Sequence, residues 1–188
     1  FLMSGSTLNE QLDAARQSGL RPEELVTLEW WCSGSDRRIA TRLFLLGLLL
    51  CLPMILFYFE IGSDNAAYYT PMTRAFAAAD FPHAYYPMIP PLLPTLSGIL
   101  AMVTRLPAFW ANKVVSSLFF AATAFPLLSL CRRWTPDKRL AVLAVLLFLF
   151  CPILIKSAGY GELDMPKVFF MVSAVWCVDE MRSEEHTS

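Results

Sequence analysis

"LFLLGLLLCLPMILFYFEI", residues 43 to 61, decides how this chain is read. Its only charged residue is Glu60, and at about 1.5 Å per residue it is long enough to cross roughly 30 Å of hydrocarbon as a helix. Working outward, apolar blocks recur at "AFWANKVVSSLFFAATAFPLLSL" (108 to 130), "LAVLAVLLFLFCPILI" (140 to 155) and "VFFMVSAVWCV" (168 to 178). The second is a full span by length, the third reaches one with its flanks, and the fourth is cut short. The chain is 56% hydrophobic and 13% aromatic with a mean hydropathy of +0.48, more apolar surface than a soluble core of 188 residues usually hides. The expected fold is all-α: a polytopic integral membrane protein with a partial membrane domain over 39–181 and spans at about 43–61, 109–130, 140–156 and 167–181.

Basic residues set the expected orientation. They gather before the first span (Arg37, Arg38, Arg42) and in "CRRWTPDKR" (131 to 139). The excess of Lys and Arg on cytoplasmic loops puts both clusters inside. The N-terminus is then cytoplasmic, in what reads as a plasma (inner) membrane, and the outer loops are 62–108 and 157–166. Within the first of these, "PPLLPTLSGILAMV" (90 to 103) is short and broken by Pro90, Pro91, Pro94 and Gly98. A crossing there would put the basic turn on the wrong side, so it is expected as a helix in the outer interface with Thr95 and Ser97 toward the headgroups. A short true crossing is the alternative. Residues 1–38 form a polar tail, with short helices expected in "STLNEQLDAARQSGL" (6 to 20) and "RPEELVTLEWW" (21 to 31). Trp30 and Trp31 suit the headgroup level, or the packing of a small cytosolic helix pair.

"RSEEHTS" (182 to 188) reads as a translated sequencing adapter and is set aside from fold reasoning. That tail, and an opening on Phe1 rather than Met, lead to the expectation of a fragment of a longer protein. Without Arg182, Glu184 and Glu185 the chain holds 14 basic and 14 acidic residues, so net charge argues for no particular partner and no nucleic acid is expected. Cys32, Cys51, Cys131, Cys151 and Cys177 lack metal-ligand spacing and read as small hydrophobes.

The residues that carry chemistry stand at span ends. Asp64, in "EIGSDNAAYY" (60 to 69), follows the first span, and Asp164, in "KSAGYGELDMPK" (156 to 167), precedes the fourth block. Each has a plain alternative: Asp64 as a solvated loop residue, Asp164 as a helix cap with Pro166 in the first turn. Lys113 lies inside a span, where an ionisable group is a functional candidate, or it snorkels from the nearby helix start. Lys156 and Lys167 flank the second outer loop. Tyr68, Tyr69, Tyr85 and Tyr86 are interfacial belt residues or sugar-stacking platforms, and His83 is a base or an exposed loop residue. Two function classes fit: an enzyme, and a polytopic transporter or non-catalytic membrane component. Acids at span ends, rather than near mid-membrane, favour the enzyme.

The order of features carries a resemblance. A span is followed by "SDNAAYY", then "IPPLLP" about 25 residues on, a span, a basic turn, a further span and "GELDMPKVFF". Over roughly 40–180 this resembles the N-terminal part of the GT-C superfamily of polyprenyl-phosphate-dependent glycosyltransferases, in the branch of protein O-mannosyltransferases and aminoarabinose transferases. The resemblance implies an integral membrane enzyme that moves a sugar from a lipid-phosphate carrier to a protein, lipid or glycan acceptor on the outer face. It implies catalytic roles for Asp64 and Asp164, and leaves Tyr68, Tyr69, Lys113, Lys156 and Lys167 as candidate substrate contacts. It implies no certain cofactor, with a divalent metal as an option and no metal ligands assigned. The chain departs from that pattern at Asn65, Ala67 and Ile89, where relatives commonly carry Glu, Arg and Lys.

Overall fold

The computed structural model describes residues 30–59 and 64–185. The two helices expected in 6–31 fall almost wholly outside the described residues. All regular structure among the described residues is helical: α1 (Asp36–Phe57), a π-helical turn (Asn65–Tyr69), α2 (Thr70–Ala77), a 3-10 turn (Phe81–His83), α3 (Leu92–Thr104), α4 (Ala108–Ala122), α5 (Ala124–Trp134), α6 (Lys138–Leu149), α7 (Pro152–Tyr160) and α8 (Asp164–Glu185). Two helical stretches are long and apolar enough to cross a membrane, α1 and the run Ala108–Trp134 formed by α4 and α5.

The breaks follow from local chemistry. Pro126 has no N–H to give to the carbonyl of Ala122, and its ring crowds that carbonyl; the helix accordingly turns at Thr123, whose hydroxyl donates to Phe119 O at 2.8 Å. The expected third span, 140–156, is not one helix. Pro152 ends it, α6 and α7 meet at 54°, and the Phe148 carbonyl accepts from Cys151 N at 3.2 Å. As a pair, α6 and α7 supply a third membrane-length unit. Lys156 consequently lies within α7, and the second loop shrinks from 157–166 to the residues between Tyr160 and Asp164. At the far end α8 continues through Glu185, past the expected limit of 181, because Ser and Glu are compatible with a helix already begun. It is long enough to cross, but its charged residues leave it too polar to count as a span, so the expected fourth span at 167–181 is not among the membrane-length apolar helices.

The helices pack around α4, which touches α1, α3, α7 and α8. Leu43, Cys51, Phe120, Leu128, Val142, Val145, Leu149 and Met165 form the main core. In lipid the hydrophobic effect does not distinguish the inside of a bundle from its outside, so close backbone approach and internal hydrogen bonds hold helices together. Two glycines provide that approach. A Cβ on Gly47 would lie 3.1 Å from Ala121, and one on Gly159 only 2.2 Å from Met54 Cβ, so α1 is held against α4 at one level and against α7 about two turns further along.

The two basic clusters come together at one end of the bundle. At one end Asp36 pairs with Arg132 (3.5 Å) and Lys138 (3.7 Å), Arg133 pairs with Asp179 (3.1 Å) and Glu180, and Arg42 lies 4.4 Å over the Trp30 ring. Both basic clusters therefore share an end. Trp31 packs against the core there while Trp30 stays exposed beneath Arg42. The π-helical turn, the start of α4, the end of α7 and the start of α8 meet at the opposite end.

At thirteen residues α3 is too short to cross. Leu93, near its start, packs with Tyr69, Val115 and Leu163, and Thr104 at its end is followed closely by Ala108 at the start of α4. One detail differs from expectation. Ser97 is fully buried rather than turned toward headgroups, since Gly98 beside it seats Phe76 of α2, whose ring would meet a Cβ there at 2.6 Å.

Candidate functional site

Asp64 stands exposed directly before the π-helical turn, and the next residue, Asn65, is fully buried. The turn closes through Thr70 N–H to Asn65 O, one residue wider than an α-turn. Asn65 uses its whole side chain. Its amide donates to Tyr160 O at 2.7 Å and to Phe109 O at 3.4 Å, while its oxygen accepts from Asn112 Nδ2 at 2.7 Å and from Thr70 Oγ1 at 3.0 Å. Asn112 in turn accepts from Thr73 Oγ1 at 2.8 Å. The two backbone carbonyls can only accept, so they fix which way both amides face.

Gly161 makes room for this arrangement. It caps α7 at φ +77°, where a side chain is strained. A Cβ there would fall 2.7 Å from Asn65 Nδ2 and 2.8 Å from Lys113 N. The loop that follows brings in an acid that the sequence reading passed over, Glu162. Its carboxylate accepts from Ser157 Oγ at 2.8 Å, and its backbone oxygen accepts from Ser116 Oγ at 2.9 Å. Burial holds the Glu162 carboxyl above its ordinary range, and the charges of Asp164 and Asp64 add to this against the Ser157 hydrogen bond and Lys156. Tyr69 belongs to the same group. Burial first, then Asp64, Asp164 and Glu162, raise its phenol, while a hydrogen bond with the Leu163 backbone opposes them. Tyr69 is therefore a neutral hydroxyl at neutral pH.

The fold thus gathers Asp64, Tyr69, Glu162 and Asp164, with Lys156 among them. Asp164 is the first residue of α8 rather than the residue before it; its carboxylate is exposed and accepts from Lys167 Nζ at 3.3 Å. An acid in a first helical turn is favourable in its own right. Lys156 is exposed, its ammonium 5.1 Å from the centre of the Tyr160 ring. Tyr68 is exposed and meets Tyr86 edge-on at 6.3 Å. His83 pairs with Asp80 at 2.9 Å on the surface.

Lys113 is placed apart from this group. It is buried, and its ammonium donates to Met54 O (2.9 Å), Tyr58 O (2.5 Å) and Ile55 O (3.4 Å) at the end of α1. The rings of Phe59, Phe109 and Trp110 surround it at 5.1 to 5.8 Å. A cation on the last carbonyls of a helix satisfies orphan acceptors and complements the dipole. All three of its N–H donors are engaged by protein.

Sequence spacing alone carried a weak signal for Glu162, two residues before the more conspicuous Asp164. For Asn65 it carried only the absence of an expected charge. Among the described residues no three of His, Cys, Asp and Glu are disposed to hold a metal ion. Comparison with family models, with curated proteins and with solved structures finds no match for this chain.

Proposed function

We propose that this chain carries the site of a GT-C type membrane glycosyltransferase, which moves a sugar from a polyprenyl-phosphate carrier to an acceptor at the acidic end of the bundle. The observation that carries the reading is the convergence of Asp64 with Tyr69, Glu162 and Asp164, from segments nearly a hundred residues apart, at the end of the bundle opposite the basic clusters. By the positive-inside rule that end faces outward.

A glycosyl phosphate already has a good leaving group, so the protein must orient the acceptor, take its proton and stabilise the departing phosphate. Asp64 is exposed and able to accept the proton of an acceptor hydroxyl as its oxygen bonds to the anomeric carbon. The bond from that carbon to the phosphate oxygen breaks, and the electron pair leaves with the polyprenyl phosphate. Lys156 and Lys167, exposed on either side of the Glu162 loop, are the cations assigned to that charge. Tyr68, four residues after Asp64, and Tyr86, which meets it, are exposed aromatic rings for a sugar to stack on.

The test is Asp64→Asn in the intact protein, assayed in membranes with a polyprenyl-phosphate sugar at matched protein level. Loss of the general base lowers the rate by about 10² to 10⁴, with insertion unchanged. Near wild-type turnover would sink the assignment.

A further inference from the structure

We infer that Asn65 is a positioning residue, and that its neutral amide locks the Asp64 segment to the Glu162 loop. This rests on the transferase reading for its consequence, but the lock itself stands on geometry. Asn65 is adjacent to Asp64 and fully buried, and it reaches three other elements at once: Tyr160 O at the end of α7, Asn112 on α4 and Thr70 at the start of α2. The carbonyl it holds belongs to the residue before Gly161, from which the loop to Glu162 departs, and Gly161 is seated directly on the Asn65 amide. Displacing the Asn65 side chain would therefore move both acids relative to each other.

The chemistry demands an amide. Two carbonyl oxygens face one side of the Asn65 side chain and two donors face the other. A carboxylate has the same shape, but ionised it has no hydrogen to give to Tyr160 O. Protonated, it regains one O–H for that carbonyl and keeps an oxygen for Asn112 and Thr70. Aspartate at position 65 can thus close the lock only as the neutral acid. Burial against carbonyls raises its folded pKa above the ordinary value of about 3.9. The lock is closed below that value and opens as pH rises through the raised one. Titratable or charged groups at this end of the surrounding elements are Asp64, Tyr68 and Tyr69 at its own turn, Arg74 on α2, Lys113 on α4, Lys156 and Tyr160 on α7, Glu162 in the loop, and Asp164 and Lys167 on α8. They are the same in wild type and variant, so the comparison isolates position 65.

The experiment compares wild type with Asn65→Asp across acidic to neutral pH, by steady-state transfer from a polyprenyl-phosphate sugar and by amide hydrogen exchange over 65–73 and 158–163. At neutral pH the variant loses kcat by about 10²-fold, as expected for a displaced catalytic group, with KM unchanged. Exchange quickens in both segments together. Acidification restores both relative to wild type. Wild-type kcat and wild-type exchange at neutral pH would overturn the inference, as would a loss that acid does not relieve. Should Asn65→Asp fail to accumulate, Asn112→Asp carries the same test, because position 112 must also donate to the Asn65 oxygen. A wild-type protein that transfers no sugar would remove the transferase reading, yet coupled, acid-reversible exchange in the two segments would still decide the lock.

Discussion

Glu162 shows how much a single side chain owes to its surroundings. In the sequence it is one of two acids near a turn; in the fold it is partly buried, bonded to Ser157 and flanked by Asp64 and Asp164. Its folded pKa stands above the ordinary 4.5, so folding favours the protonated form. The stability this contributes is present below about pH 4.5 and is lost as pH rises through the folded value. Glu162→Gln keeps an acceptor for Ser157 and removes the charge. The variant therefore lacks the decline toward neutral pH and melts higher than wild type there. Melting temperature in detergent against pH reads this directly, and a Gln variant less stable at neutral pH would contradict it. Lys113 makes the opposite point. Its position inside a span marked it for function, yet its ammonium is taken up by three carbonyls at the end of α1.

At the scale of elements, the bend between α6 and α7 determines what α7 can touch. Pro152 turns the chain by 54°, and Gly159 then meets Met54 of α1 too closely for any side chain. Lys156, Tyr160 and Gly161 are delivered to the site by that contact. Gly159→Val forces α7 away from α1, at a cost of about 1–3 kcal/mol as for other overpacked sites. The expected readouts are a lower detergent melting temperature and faster exchange in 152–161, with 138–149 little changed. An unshifted melt would mean that the contact does not hold α7 in place. The hairpin of α2 and α3 follows the same rule. Gly98 admits the Phe76 ring, which lets α3 pack closely against α2.

Across the whole molecule, the two basic clusters share one end, and this makes a prediction about sidedness. Trp134 lies beside the basic turn and Tyr86 beside Tyr68 at the acidic end, and both are exposed. With the native cysteines replaced, single cysteines at Trp134 and Tyr86 should react with a membrane-impermeant thiol reagent from opposite sides of the membrane. If both were labelled from one side, the odd number of crossings between them would be wrong and α3 would have to traverse. If the sides were opposite but reversed, the bundle would stand and only its outward assignment would fall.

The sequence by itself determined the quantities that add up along the chain: apolar length for α1 and for Ala108–Trp134, the sharing of one end by Arg37, Arg42, Arg132 and Lys138, and the presence of acids where spans end. Hydrocarbon responds to summed local composition, so these are legible without contacts. Only the tertiary structure decided which polar groups are occupied. Asn65 reads as a lost charge until Tyr160 O and Asn112 are brought to it from 95 and 47 residues away. Lys113 reads as a free cation until the end of α1 arrives, and Glu162 joins Asp64 only because Gly161, at positive φ, turns the chain back toward the π-helical turn. A hydrogen bond depends on the position of its partner, and in this bundle the partners come from distant parts of the chain.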